Sequence, residues 1–196
     1  MNSTNIKMIR KRLSQRNRET FPALYHSNFR YFWIGQCISL IGTWMQNAGQ
    51  SWLVLQITNN AFLLGVLNAV QFMPMLLFSL YAGVIIDRFP KRKLIIATQI
   101  GLMLCALSLT ILLYTGHAKY VYILIIAVLL GSFQALDNPA RQSFMIELVG
   151  KDDLMNAIAL NSSIFNAARI FGPALAGLMI AWLGPGAAFL TNGLSF

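Results

Sequence analysis

The sequence is poor in charge. Only 11% of its 196 residues are Asp, Glu, Lys or Arg and 57% are hydrophobic, against about 25% charged and 45–50% apolar in an ordinary soluble domain. A soluble globular fold is excluded. Cysteine is also scarce: Cys37 and Cys105 both sit in apolar runs, too few for a disulfide framework and without the paired spacing of a zinc site. Both read as buried core thiols. With only His26 and His117 beside them, a metal cluster built from His and Cys has no raw material. The six acids fall outside the apolar runs, so no paired carboxylates suited to acid–base chemistry are expected at membrane depth. Ser162, Ser163 and Thr43 lack a His or Lys partner, and no glycine-rich phosphate loop precedes a Lys-Ser or Lys-Thr pair. An enzyme and an ATP-driven pump are therefore both unsupported, and no cofactor is expected.

What the sequence has instead is long apolar runs. Segments at about 31–57, 61–86, 94–114, 120–136 and 154–183 are each long enough, or nearly so, to cross a hydrocarbon core that takes about 20 residues of helix. Their breaks carry turn residues: Thr58-Asn59-Asn60, the cluster from Asp87, Thr115-Gly116-His117, Asp137-Asn138-Pro139 and Gly184-Pro185-Gly186. A polar connector, partly helical, is expected over 138–153. A sixth segment, 187–196, has ten residues, about 15 Å of helix against a core of about 30 Å. It reads as incomplete.

Basic residues alternate sides. Lys7, Arg10, Lys11, Arg12, Arg16, Arg18 and Arg30 precede the first segment; Arg88, Lys91, Arg92 and Lys93 follow the second; Arg141 and Lys151 follow the fourth. The opposite side has Lys119 alone. The positive-inside rule then places the amino terminus in the cytoplasm, with residues 1–30 a basic cytoplasmic tail and 31–196 a helical bundle. The net charge of +9 follows from this asymmetry. No aromatic-interleaved pattern accompanies the tail, so anionic lipid rather than nucleic acid is the expected contact.

Several polar residues interrupt the apolar segments. Gln36, Ser39, Thr43, Gln46 and Gln50 recur at spacings of three and four, along one stripe of the first helix. Amides in hydrocarbon need partners, so the stripe either hydrogen-bonds to other helices or lines a watery pathway. Gly35, Gly42 and Gly49, seven apart, offer close approach to a neighbour. Asn68 and Gln71 on the second helix, Gln99 on the third and Gln134 on the fourth add amides at depth. On the fifth, Ser162, Asn166 and Arg169 share a face. An arginine halfway along a span marks a substrate or ion path, or a structural network of amides and carbonyls. As a substrate contact it would suit an anionic cargo such as a catecholate siderophore.

The loop after the second segment, Gly83-Val-Ile-Ile-Asp87-Arg88-Phe-Pro90-Lys91-Arg92-Lys93, resembles the signature between the second and third helices of the major facilitator superfamily. Pro90 stands where that family usually has glycine. Ala168-Arg169-Ile-Phe-Gly172-Pro173-Ala-Leu-Ala176-Gly177 resembles the Gly-Pro motif of its antiporters. The stretches Phe21-Pro22-Ala23-Leu24, Asn28-Phe29-Arg30-Tyr31-Phe32-Trp33, Gly42-Thr43-Trp44-Met45-Gln46 and Asp137-Asn138-Pro139-Ala140-Arg141-Gln142 are similar to the bacterial branch of enterobactin-type exporters and transmembrane secretion effectors.

That resemblance implies an all-α membrane protein, the amino-terminal six-helix half of a twelve-helix transporter with its sixth helix truncated, in the bacterial inner membrane. It implies proton-coupled efflux of a small organic molecule, a siderophore or a drug, by alternating access. It also implies a cytoplasmic latch of Gly83, Asp87, Arg88, Lys91 and Arg92, with Asp137 and Arg141 as ion-pair partners, and a packing motif of Gly172, Pro173 and Gly177 on the fifth helix. The substrate pathway expected from the polar residues comprises Gln36, Thr43, Gln46, Gln50, Asn68, Gln71, Asn166 and Arg169. The other expectation is a truncated transporter, inactive alone or active only with a separate second half.

Overall fold

A few turn-forming residues decide where the chain reverses in the computed structural model, which describes residues 20–196. Helix α1, Ser27–Thr58, ends where Asn59 takes the left-handed conformation (φ 47°) and donates its N–H to the Leu55 carbonyl at 2.8 Å. Asn60 then accepts from the Phe62 N–H at 2.9 Å and caps α2, Ala61–Arg88. Asparagine tolerates the left-handed region, and its side chain competes for backbone donors, so the pair stops one helix and starts the next. Helix α3, Lys91–Tyr114, begins after Pro90, whose φ of −58° is the ordinary proline value and whose carbonyl accepts from Lys93 and Leu94. The glycine of the family pattern is not needed for this turn. Helices α4 (Tyr120–Val149), α5 (Leu154–Leu183) and α6 (Pro185–Ser195) follow, separated by breaks at Gly116, Gly150 and Gly184.

Helix α4 runs past the break expected at Asp137-Asn138-Pro139 and absorbs most of the expected connector. Proline in a helix removes one hydrogen bond, but the apolar pattern resumes beyond it. Ala140 packs with Ala82, Ile86 and Ile95, while Met145 and Val149 join a cluster with Phe29, Ala157 and Leu160. Burial of this second apolar stretch offsets the missing bond. Asp137 consequently lies within the helix, roughly 25 Å from Tyr120 at about 1.5 Å per residue, and is buried. The expectation that all six acids lie outside the spanning segments is corrected here.

Helices α3, α4 and α5, and residues Ala61–Phe78 of α2, are long and apolar enough to cross a membrane. Helix α1 has the length, 32 residues, but its glutamines, serines and threonine lower its hydropathy. Its polar stripe is covered by other helices: Gln36, Ser39, Gln46 and Gln50 are all buried. The chain is an all-α, multi-pass membrane protein.

Packing pairs α2 with α4, α1 with α5 and α3 with α4, and α6 lies against α1 and α3. Glycines allow the close approaches, among them Gly42 of α1 against Asn192 of α6. A Cβ at Gly131 of α4 would overlap the Gln71 carbonyl oxygen of α2, and one at Gly172 of α5 would meet the Trp44 side chain and the α1 backbone. A larger core of Leu53, Val54, Leu67, Leu109, Ile123 and Phe189 fills the end of the bundle away from Asp137. Cys105 belongs to this core, whereas Cys37 is only partly buried.

The described end of the basic tail is anchored to the bundle. A 3₁₀ turn, Pro22–Tyr25, buries Ala23, whose N–H donates to Asn156 Oδ1 at 3.3 Å; Asn156 Nδ2 donates to the Thr20 carbonyl at 2.9 Å. His26 Nε2 meets Asp153 Oδ2 at 2.7 Å. The tail's other basic residues, Lys7 to Arg18, lie outside the described residues.

Candidate functional site

Between α1, α2, α4 and α5 lies a cavity of about 380 Å³. Its wall is apolar over most of its surface, with amides and an ion pair set into it. Helix α1 contributes Gln36, Thr43 and Asn47; α2 contributes Gln71; α4 contributes Gln134, Asp137, Asn138, Arg141 and Gln142; α5 contributes Asn161. Aromatic walls complete it: Trp44 meets Phe165 edge-on with ring centroids 5.7 Å apart, and Phe72 and Phe196 also line the space.

The amides bridge helices. Gln36 Nε2 donates to Asn161 Oδ1 at 2.7 Å, tying α1 to α5, and Gln71 Nε2 donates to Asn47 Oδ1 at 3.2 Å, tying α2 to α1. Each amide keeps further donor or acceptor capacity, so the cavity can offer hydrogen bonds to a guest without dismantling its frame.

Asp137 is the anchor of the charged corner. Its Oδ1 accepts from Thr98 Oγ1 at 2.6 Å and Gln99 Nε2 at 3.1 Å, both on α3, and its Oδ2 accepts from Arg141 Nε at 2.7 Å. A buried charge pair is tolerated only when its remaining valences are satisfied, and here Thr98 and Gln99 do that for the carboxylate. The Arg141 guanidinium carbon also lies 5.6 Å from the Phe32 ring centroid.

Of the eight residues assigned to the pathway from sequence, the structure brings Gln36, Thr43 and Gln71 to the cavity. Gln46 turns instead toward α6, accepting from Asn192 Nδ2 at 2.5 Å, and Gln50 is buried away from the cavity without a hydrogen-bond partner among the described residues. The stripe explains the split: at about 100° per residue it is wide enough to straddle two neighbours, with Gln36 and Thr43 on one edge and Gln46 and Gln50 on the other. Asn68, Asn166 and Arg169 are exposed on the outside of this bundle, Asn166 donating to its own helix at the Ser162 carbonyl.

The residues assigned to the latch divide as well. Asp137 and Arg141 pair with each other within the cavity wall. Lys91 Nζ meets Glu147 Oε1 at 2.5 Å, joining the ends of α3 and α4. Asp87, Arg88 and Arg92 are exposed, and among the described residues Asp87 has no ion-pair partner. A Cβ at Gly83 or Gly177 would meet nothing within 4 Å, in contrast to Gly172; Pro173 is exposed.

Asn47, Thr98, Gln142, Asn161 and Glu147 were not singled out from sequence. Asn47 had a signal, lying eleven residues, about three turns, after Gln36. Thr98 and Glu147 had none without knowledge of which helices touch.

A partly open cavity that sets amides and an ion pair between membrane-spanning helices suits a transporter, and the comparisons agree. Residues 18–196 match the family model of the transmembrane secretion effectors, and the chain belongs to this family of major facilitator superfamily transporters. Among its relatives, the staphyloferrin A transporter of Staphylococcus aureus is 32% identical over 85% of this chain and 42% of that protein. The multidrug efflux pump Tap of Mycolicibacterium fortuitum is 29% identical over 68% of this chain and 34% of its own length. Macrolide efflux protein A of Streptococcus pyogenes is 23% identical over 77% of this chain and 37% of its own length. The chain thus spans less than half the length of these relatives. No solved structure matched it at a significant level.

Proposed function

We propose that this protein exports a small organic molecule, siderophore-like or drug-like, across the bacterial inner membrane by alternating access driven by proton entry. The observation that carries this reading is the cavity of about 380 Å³ lined by amides, aromatics and one buried ion pair. A purely structural bundle would fill such a space with apolar side chains. The printed functions of the relatives, siderophore transport and drug efflux, support the same class of cargo.

The second wall of the pathway belongs to a second six-helix half, on the same or another polypeptide. Polar side chains facing lipid are costly, so Asn68, Asn166 and Arg169, exposed on this half, are assigned to the boundary with the other. Gly83 is assigned to the same boundary, as the point where a helix of that half packs. Asp87, Arg88, Lys91 and Arg92 form the cytoplasmic latch, and Gly172 with Pro173 sets the bend at which α5 packs on α1. The proton carrier belongs to the second half or lies near Asp137, whose oxygens are both hydrogen-bonded here. The amino terminus is cytoplasmic, on the side of the basic loops.

The test is export of siderophores and lipophilic drugs from cells lacking their own exporters, by the 196-residue chain alone and joined to a second half. Export by the joined form and not by the short one is expected. No export by either, with both inserted in the membrane, would refute the transport reading.

A further inference from the structure

The charged corner of the cavity is asymmetric. The carboxylate of Asp137 accepts three hydrogen bonds, whereas of the five N–H groups of Arg141 only Nε–H has a protein acceptor among the described residues. The side chain is 13% exposed, and Phe32 lies against the guanidinium. Its terminal amino groups have no protein acceptor among the described residues and stay accessible, on a residue that lines the cavity. Donors in that state favour an acceptor supplied from outside.

We propose that Arg141 is the residue that selects cargo, its terminal amino groups binding a carboxylate of the transported molecule. The proposal rests on the transporter reading above and names the substrate class for the same cavity. Two features make a carboxylate the fitting partner. A guanidinium edge presents two parallel donors that match the two oxygens of a carboxylate. Amides that line the same cavity, Gln36, Asn161 and Gln142, can add neutral hydrogen bonds. Asp137 meets the guanidinium on its Nε side and leaves the terminal amino groups to the guest, its own charge offset by the donors from Thr98, Gln99 and Nε. With Thr98 and Gln99 it acts as a positioning group that fixes the direction of the fork. Arg169, the arginine that sequence alone favoured for an anionic cargo, does not line the cavity.

The experiment is equilibrium binding of a matched pair of probes, dansyl-phenylalanine and its neutral amide, to the purified protein in phosphatidylcholine nanodiscs. A zwitterionic lipid keeps anionic headgroups from occupying the site. The protein is expected to prefer the carboxylate roughly tenfold or more, the scale of a hydrogen bond to a charged group. Arg141→Gln is expected to bring the two probes to parity, and Arg141→Lys, which keeps charge but loses the fork, to retain part of the preference. Because Arg141→Gln leaves Asp137 uncompensated, Asp137→Asn/Arg141→Gln is measured beside it, with binding of the amide probe as the check on fold. Equal affinity for both probes in the unmodified protein, or a carboxylate preference that survives in the double variant, would overturn the proposal. The transport reading fails separately: proteoliposomes of the form joined to a second half that bind the carboxylate preferentially yet move neither probe would refute transport and leave the assignment of Arg141 standing.

Discussion

Arg141 Nε donates to Asp137 Oδ2 across 2.7 Å, one turn apart on α4, and the pair spans the proline at position 139. Both side chains are nearly buried, at 13% and 8% exposure. Removing one partner strands the other's charge, which costs about 3–5 kcal/mol for a buried pair. Asp137→Asn and Arg141→Gln should each destabilise the bundle by that order. The double variant should be less destabilised than the sum of the two, because no lone charge remains. Unfolding titrations of the three variants in detergent check this, and strict additivity would contradict it.

Thr98 holds the other carboxylate oxygen from α3. Thr98→Val keeps the shape but removes a donor to a buried charge, an effect of about 1.5–3 kcal/mol. The same unfolding titration should show a loss of that size, and should show almost none when Thr98→Val is added to Asp137→Asn.

Glycines on α4 and α2 should behave oppositely. At Gly131 an added methyl collides with the Gln71 backbone, so Gly131→Val should lower stability and folded yield by several kcal/mol as α2 and α4 are forced apart. At Gly83 there is open space, so Gly83→Val should leave the folding of this half intact and reduce transport only when the second half is present. Thermal denaturation beside an export assay separates the two effects.

Asp87 has no ion-pair partner among the described residues, whereas Lys91 is paired with Glu147 across α3 and α4. Asp87→Asn should reduce export several-fold with membrane insertion unchanged. Lys91→Glu with Glu147→Lys should behave close to the unmodified protein. Exposed pairs contribute only about 0–1 kcal/mol, so the swap tests geometry rather than stability. Normal export by well-expressed Asp87→Asn protein would remove the latch.

Arg169 lies on the outside of this bundle, apart from the cavity. Its replacement by Gln should weaken export of anionic and neutral cargo equally, as expected of a residue at the boundary between halves. A selective loss of anionic export would return Arg169 to the cargo path.

The helical, membrane-spanning character was legible because composition and segment length are properties of the chain alone. The turn at Asn59-Asn60 was legible for the same reason: both asparagines act within a few residues of themselves. The break assigned to Asp137-Asn138-Pro139 was misplaced because what carries α4 through Pro139 is the burial of Ala140, Met145 and Val149 against other helices. Periodicity located the polar stripe of α1 but could not divide it, since the division depends on α6 approaching one edge and α5 the other. Gln36, Thr43 and Gln71 emerged from polarity at depth. The grouping of Thr98 and Gln99 around Asp137 required knowing that α3 and α4 touch.

The central claim is that this cavity is the path of the cargo. It is tested by introducing a single thiol into protein lacking Cys37 and Cys105, at Thr43 in the cavity or at Ile125, which is exposed on α4, and measuring export before and after alkylation. With the second half present, alkylation of Thr43→Cys should abolish export, and cargo should slow the reaction, while alkylation of Ile125→Cys should do neither. Undiminished export after complete alkylation of Thr43→Cys would contradict the account.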